Sequence, residues 1–274
     1  DYTWKFVTAG DATTYAIRSD GSLWSWGWNE KGQGGNGVSE RTATPTLADG
    51  NRVWKKAVGG KAYGFFLAED GSLWAAGTHE GGVQGTNDGI DHKVLTRIGT
   101  DNDWADMACS RFWGYSGFAI KTNGTLWAWG KNSAGQLGIG NTQAQTAPVQ
   151  VGADMDWKQV AAGCSSVLAL KTDGSLWGWG FNMYSELFGH EGKQLSPVRL
   201  GSETDWEQVV VIDFRAYAVK KDGTLWAWGD NANNLLGFNT PTEEETTAEG
   251  NPVEVVTVPQ ITAPTHVTSI EGKV

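Results

Sequence analysis

Four histidines, two cysteines and a recurring set of aspartates are the residues of this 274-residue chain best suited to chemistry. His79, His92, His190 and His266 fall at no metal-ligand spacing. No nucleophile elbow, phosphate loop or zinc motif occurs, so the expectation is a protein without catalytic residues, metal or cofactor, and not an enzyme. Asp101-Asn-Asp103, Asp154-Met-Asp156 and Asp205 each precede a tryptophan and could offer oxygens to calcium. No glycine-turned acidic loop follows them, and turn-forming carboxylates are the preferred reading. Cys109 and Cys164 fit either a disulfide, in an extracellular setting, or two buried thiols. The Gly-rich run from Gly27 to Gly37 could cradle a phosphate in another context. It opens no helix-period segment, so it reads as a turn-rich connection.

The elements that hold these residues come from a repeat. Asp20-Gly21, Asp70-Gly71, Asn123-Gly124, Asp173-Gly174 and Asp222-Gly223 recur at steps of 50, 53, 50 and 49 residues. Each is followed by Leu-Trp-x-Trp-Gly, as at Leu126 to Gly130, with a weaker second copy at Leu73 to Gly77. A turn dipeptide between two short apolar runs predicts a two-residue hairpin with positive φ at both central residues. Upstream, Trp4, Trp54, Trp104, Trp157 and Trp206 each open a further short strand that ends in small residues. A fourth strand is offered by Pro45–Leu47, Val94–Ile98, Pro148–Val151, Pro197–Leu200 and Pro252–Val256. The predicted fold is all-β, a propeller of five four-stranded antiparallel blades. One domain spans 1–274, with units at about 4–50, 54–100, 104–152, 157–201 and 206–256. The tail, 257–274, reads as a strand that closes the ring or as the start of a truncated sixth repeat; its Val267–Gly272 faintly echoes Trp4–Gly10.

Net charge is −10 with no basic stripe, which argues against a nucleic-acid partner. No run of 18 apolar residues occurs, so no membrane insertion is expected. The acidic, Thr-rich run 239–249 reads as a solvated charge run.

Departures from the repeat mark the candidate site. Fourteen of the sixteen tryptophans hold repeated positions and read as packing between blades; only Trp28 and Trp113 do not. The opening Trp and the turn residue lie 16 residues apart in four units but 19 apart in the third, an insertion within Ser110–Gly117 that contains Trp113. If the small-residue strand is innermost, the turns after it ring the channel mouth. These turns hold Asp11, Lys61, Tyr63, Arg111, Phe112, Trp113, Tyr115, Asp213, Phe214 and Arg215, and they differ in every blade. With Trp28, they are the predicted ligand or partner residues, against the plainer reading of ordinary solvated turns.

The Leu-Ala-Leu-Lys-Thr-Asp-Gly-Ser-Leu-Trp-x-Trp-Gly of the fourth unit and the Asn-x-x-Gly-Gln-Leu-Gly of the third resemble the regulator of chromosome condensation repeat family, especially its bacterial members. The resemblance covers about residues 4 to 256 and implies a propeller of four-stranded blades. The name-giving member has seven blades and is a guanine-nucleotide exchange factor in chromatin; other relatives are secreted inhibitors or interaction modules. Five units and an acidic charge depart from that pattern. The expected function is protein recognition through one face of the ring, outside the cell or at its surface. Carbohydrate binding, with Trp28, Trp113 and Tyr115 stacking on a sugar, and a structural spacer in a longer surface protein are the alternatives.

Overall fold

Five times along the chain, a hairpin is built from a strand such as Thr13–Arg18 paired with one such as Leu23–Gly27. The turn differs from the expected two-residue form. The Gly21 amide donates to the Arg18 carbonyl and only Gly21, at φ +86°, is left-handed, giving a type I turn closed by a glycine bulge. Asp20 is not left-handed in this turn, and its carboxylate accepts from the amide and hydroxyl of Ser22, which hold it below its usual range. That hydroxyl in turn accepts from the Trp24 indole at 2.8 Å, so the turn and the first Trp of Leu-Trp-x-Trp are one unit.

The computed structural model describes residues 3–238 and 260–267, with the strands Glu244–Thr246 and Pro252–Glu254 between them. It contains five four-stranded antiparallel sheets. The Trp-opened strands Trp4–Ala9, Trp54–Gly59, Trp104–Cys109, Trp157–Ala162 and Trp206–Ile212 line an axial channel of about 200 Å³, so the small-residue strand is innermost. The outer strands of the first four blades are Thr42–Asp49, His92–Arg97, Gln145–Gln150 and Gly192–Arg199.

In the fifth blade the outer strand is Gln260–His266, not the expected Pro252–Val256. Pro252–Glu254 instead pairs with Glu244–Thr246 in a separate two-stranded ribbon. Pro264 stands where Pro45, Pro148 and Pro197 stand in their blades, on an edge strand that can spare one N–H. The described part of the tail, Gln260–His266, therefore completes the fifth blade. The rest of 239–259 and the echo beyond Val267 lie outside the described residues.

Four hydrophobic cores occupy the four blade junctions. At each, the amide of the opening Trp donates to the turn glycine of the preceding blade: Trp54 to Gly21 at 2.9 Å, Trp104 to Gly71 at 3.2 Å, Trp157 to Gly124 at 3.1 Å and Trp206 to Gly174 at 3.2 Å. The second Trp of the third, fourth and fifth motifs adds a clasp at three of these junctions, with the Trp129, Trp179 and Trp228 indoles donating to the carbonyls of Val83, Gln136 and Glu186. Among the described residues no such clasp joins the fifth blade to the first. Trp4 is 44% exposed while the other openers are buried, and Leu225 is 40% exposed where its counterparts are fully covered. Among the described residues the arc is open between its ends.

The acids before the opening tryptophans have a different task from turn formation. Lys121 pairs with Asp101 and Asp103, Lys171 with Asp154 and Asp156, and Lys220 with Glu203 and Asp205. Each ammonium also lies over two indoles, Lys171 at 5.0 Å from Trp157 and 4.6 Å from Trp177. Burial works against these charges, and the paired carboxylates more than offset it, raising each lysine above its ordinary value.

Candidate binding site at the mouth of the propeller

The turns after the inner strands gather at one end of the channel and touch one another. The Asp11 amide donates to the Gly60 carbonyl at 3.3 Å, and the Cys164 amide to the Asp213 carbonyl at 3.2 Å. Arg111 reaches from the third blade to the Ala9 carbonyl of the first at 3.2 Å. Three non-glycine residues of these turns, Phe112, Tyr115 and Asp213, have φ of +46°, +44° and +56°. Such backbone costs of order 1 kcal/mol or more per residue and persists only where surrounding contacts hold it.

The insertion in the third blade carries Phe112 and Trp113 outward over the fourth and fifth blades. Together with Tyr184 and Cys164 from the fourth, and Asp213, Phe214, Arg215, Asp230 and Ala232 from the fifth, they line a cavity of about 460 Å³. Phe214 and Tyr184 pack with ring centres 4.8 Å apart. Arg215 is committed to Asp230 at 2.6 Å, and its nearer approach to Asp213 is 3.9 Å. On the far side, Lys61 lies over the Trp113 ring at 4.1 Å, and Lys131 donates to the Trp113 carbonyl at 3.4 Å.

Of the sequence-expected residues, Phe112, Trp113, Asp213, Phe214 and Arg215 meet in this cavity, while Arg111 lines the channel, Lys61 lies over Trp113, and Asp11 feels the charges of Arg111, Asp213 and Lys61. Burial is the largest influence on Asp11 and raises its carboxyl above the usual range against the pull of Arg111. Tyr63 and Tyr115 are withdrawn from the surface. They are buried 5.9 Å apart in the core between blades two and three, and Tyr63 donates its hydroxyl to the Ser110 carbonyl at 2.6 Å. The sugar-stacking role considered for Tyr115 is therefore closed to it. Trp28 is half-buried on the first blade, away from the cavity lining.

Sequence reasoning missed Tyr184 and Asp230. Asp230 follows Leu-Trp-x-Trp-Gly as Trp28, Thr78, Lys131 and Phe181 do, a second ring of positions that differ in every blade. Glu186, beneath the site, is a buried carboxyl in a loop position held by Gln33 and Gln136 in other blades; desolvation pushes its pKa up. Cys109 and Cys164 are free thiols, both pushed up to about 12 by burial. Among the described residues no three His, Cys, Asp or Glu side chains converge on a common point, and no helix is long and apolar enough to cross a membrane. The Gly-rich loops are tied down by an asparagine. Asn29, Asn132, Asn182 and Asn231 each accept from a loop amide, so the Gly27–Gly37 run is a stapled turn.

A sequence pattern described as "Regulator of chromosome condensation (RCC1) repeat" matches residues 20–67 and 123–170, and a second of the same description matches 4–33. Over these residues the chain carries RCC1 repeats. Among proteins with related sequence, the ultraviolet-B receptor UVR8 of Arabidopsis thaliana is 30% identical over 163 residues, which cover 58% of this chain and 37% of the receptor. Protein RCC2 of Homo sapiens is 27% identical over 150 residues, 54% of this chain and 19% of RCC2. The chain spans well under half the length of these relatives. Among solved structures, Prp20p of Saccharomyces cerevisiae superposes with a TM-score of 0.79 at 18% identity, covering 98% of this chain and 64% of Prp20p. Human WBSCR16 gives 0.77 at 19% identity, covering 93% of this chain and 67% of WBSCR16. At these identities the shared property is the RCC1 propeller fold.

Proposed function

We propose that this RCC1-repeat protein is a non-catalytic binding module that recognises a protein segment at the channel mouth, in the cavity spanning blades three to five. One observation carries the reading. Residues that break the repeat in sequence, Phe112, Trp113, Asp213, Phe214 and Arg215, converge on a single cavity of about 460 Å³. Structural tryptophans repeat from blade to blade, whereas a recognition surface needs side chains that do not. The precedent for protein binding on this fold is yeast RCC1 (Prp20), solved with Kap60 bound and studied for its binding to Gsp1p and histones. An extracellular or cell-surface setting is part of the proposal and follows from the secreted relatives that the repeat resemblance implies.

Glycan binding is the second reading, favoured by Trp113, which is 67% exposed beside a carboxylate. One comparison separates the two. Wild type and Trp113→Ala are run on a glycan array and used for quantitative affinity capture from extracts of the source cells. Proteins retained by wild type and lost with the variant support protein recognition. A saccharide signal lost in the variant would replace it with a lectin.

A further inference from the structure

The cavity's chemistry specifies the kind of side chain it takes, an inference that rests on the protein-recognition reading. Its lining is largely aromatic, with Phe112, Trp113 and the packed Tyr184–Phe214 pair. Its charge is unbalanced. Arg215 is spent on Asp230 at 2.6 Å, while Asp213 makes only long contacts, an ion pair with that guanidinium at 3.9 Å and a weak hydrogen bond from the Cys164 thiol at 4.0 Å. The Asp213 side chain is 27% exposed, so its carboxylate keeps open acceptor positions. The three charged lining residues thus sum to one net negative, while Lys61, Arg111 and Asp11 stand outside the lining. Trp113 already holds one cation, the Lys61 ammonium at 4.1 Å, and most of its surface remains free.

We propose that the cavity binds an arginine side chain presented by a segment of a partner protein. A planar guanidinium can stack against Trp113 or Phe214 while its fork donates to the Asp213 carboxylate, which a compact ammonium does less well. An anionic anchor would meet Asp213 unpaired, and a purely apolar one would leave that carboxylate desolvated without a partner. Asp213 is fixed for the task. Its left-handed backbone, φ +56°, is held by the Cys164 amide on its carbonyl. Asparagine tolerates the same φ, so Asp213→Asn removes the charge and keeps the shape.

The test is selection of a random peptide library displayed on phage against the intact protein, with Trp113→Ala as counter-selection and melting temperatures recorded for every variant. The expected result is a set of Trp113-dependent peptides sharing one arginine, whose affinity falls about tenfold or more in Asp213→Asn with no loss of thermal stability. Replacing that arginine by citrulline in a synthetic copy should produce a comparable loss. Trp113-dependent peptides anchored by acidic or apolar residues, or indifferent to Asp213→Asn, would overturn the arginine assignment and leave protein recognition standing. No Trp113-dependent peptide from a well-folded wild type would remove both.

Discussion

The Lys61 ammonium lies 4.1 Å from the centre of the Trp113 ring, joining the turn of the second blade to the insertion of the third. The pair is solvent-exposed on the Trp side, and a cation–π contact there contributes ~0.5–1 kcal/mol. Trp113→Ala should therefore lower stability by no more than about 1 kcal/mol, measured by urea unfolding, whereas a core indole would cost several times that. The Trp129 indole is such a core indole, fully buried and hydrogen-bonded to Val83, and Trp129→Ala should cost ~3–5 kcal/mol. Similar losses in the two variants would mean that Trp113 packs as part of the core.

The three lysines on the second strands should make stability sensitive to high pH. Lys171 has its folded value raised, because Asp154 and Asp156 outweigh the burial that opposes its charge. Its contribution is fully present below the unfolded value, about 10.4, and is lost as pH rises through the higher folded value. Lys171→Met should reduce the melting temperature near neutral pH, and the gap to wild type should narrow above about pH 10.4. Both carboxylates are about half exposed, so screening limits the effect to roughly 1–2 kcal/mol. A gap that stays constant across that window would remove the ion pairs as its cause.

Glu186 should behave in the opposite sense to a stabilising carboxylate. Desolvation raises its pKa, and the Tyr184 amide at 2.8 Å and the Ser166 hydroxyl at 3.4 Å only partly compensate. A carboxyl raised on folding costs nothing below its unfolded value, about 4.3, and progressively destabilises as pH rises through the folded value. Gln33 and Gln136 show that an amide fits the equivalent loop position. Glu186→Gln should melt above wild type at pH 7, with the difference vanishing toward pH 4. A wild type that is the more stable at pH 7 would refute the assignment.

The repeat could be read from the chain because each of its signals is local. Turn, Leu-Trp-x-Trp-Gly and opening Trp recur in order, and five sheets result. The fifth outer strand was misplaced because Pro252-Val-Glu-Val-Val256 has stronger β-character than Gln260–His266, while the alignment of Pro264 with the other prolines depends on an insertion of unknown length. The acid–lysine pairs were also within reach. The second unit lacks the lysine, having Ala68, and lacks the acids before Trp54 as well, a covariation visible among the repeats themselves. At the mouth, the variable turns do gather at one end of the channel, as their common position after the inner strands implies. Depth at each position was not legible, since Tyr63 and Tyr115 are as aromatic as Trp113 and only the packed blades separate buried from exposed. Tyr184 could be found only once the fourth and fifth blades stood side by side.

The two thiols should be inert in the native protein. Both are pushed up to about 12, which leaves almost no thiolate at neutral pH. Reaction with a thiol-exchange reagent at pH 8 should be slow for native protein and rapid for two groups after denaturation, and a reductant should leave the melting temperature unchanged. A fast native phase would mean that the Cys164-to-Asp213 contact between blades, or the channel lining at Cys109, opens in solution.

The open arc can be tested at its two kinds of turn glycine. Gly124 and Gly223 share a left-handed backbone, φ +80° and +85°, but a methyl on Gly124 would run into the Met155 carbonyl of the next blade, whereas one on Gly223 meets nothing within 4 Å. Conformational strain alone costs alanine about 1–2 kcal/mol in this region. Gly223→Ala should lose only that amount. Gly124→Ala should lose it together with the Trp157-to-Gly124 clasp and part of the core behind it, for a total of ~3 kcal/mol or more. Unfolding measured for both variants distinguishes a covered turn from a bare one. If Gly223→Ala proved as damaging as Gly124→Ala, something would have to pack against the fifth blade's turn, and the gap between the fifth and first blades would be closed in solution.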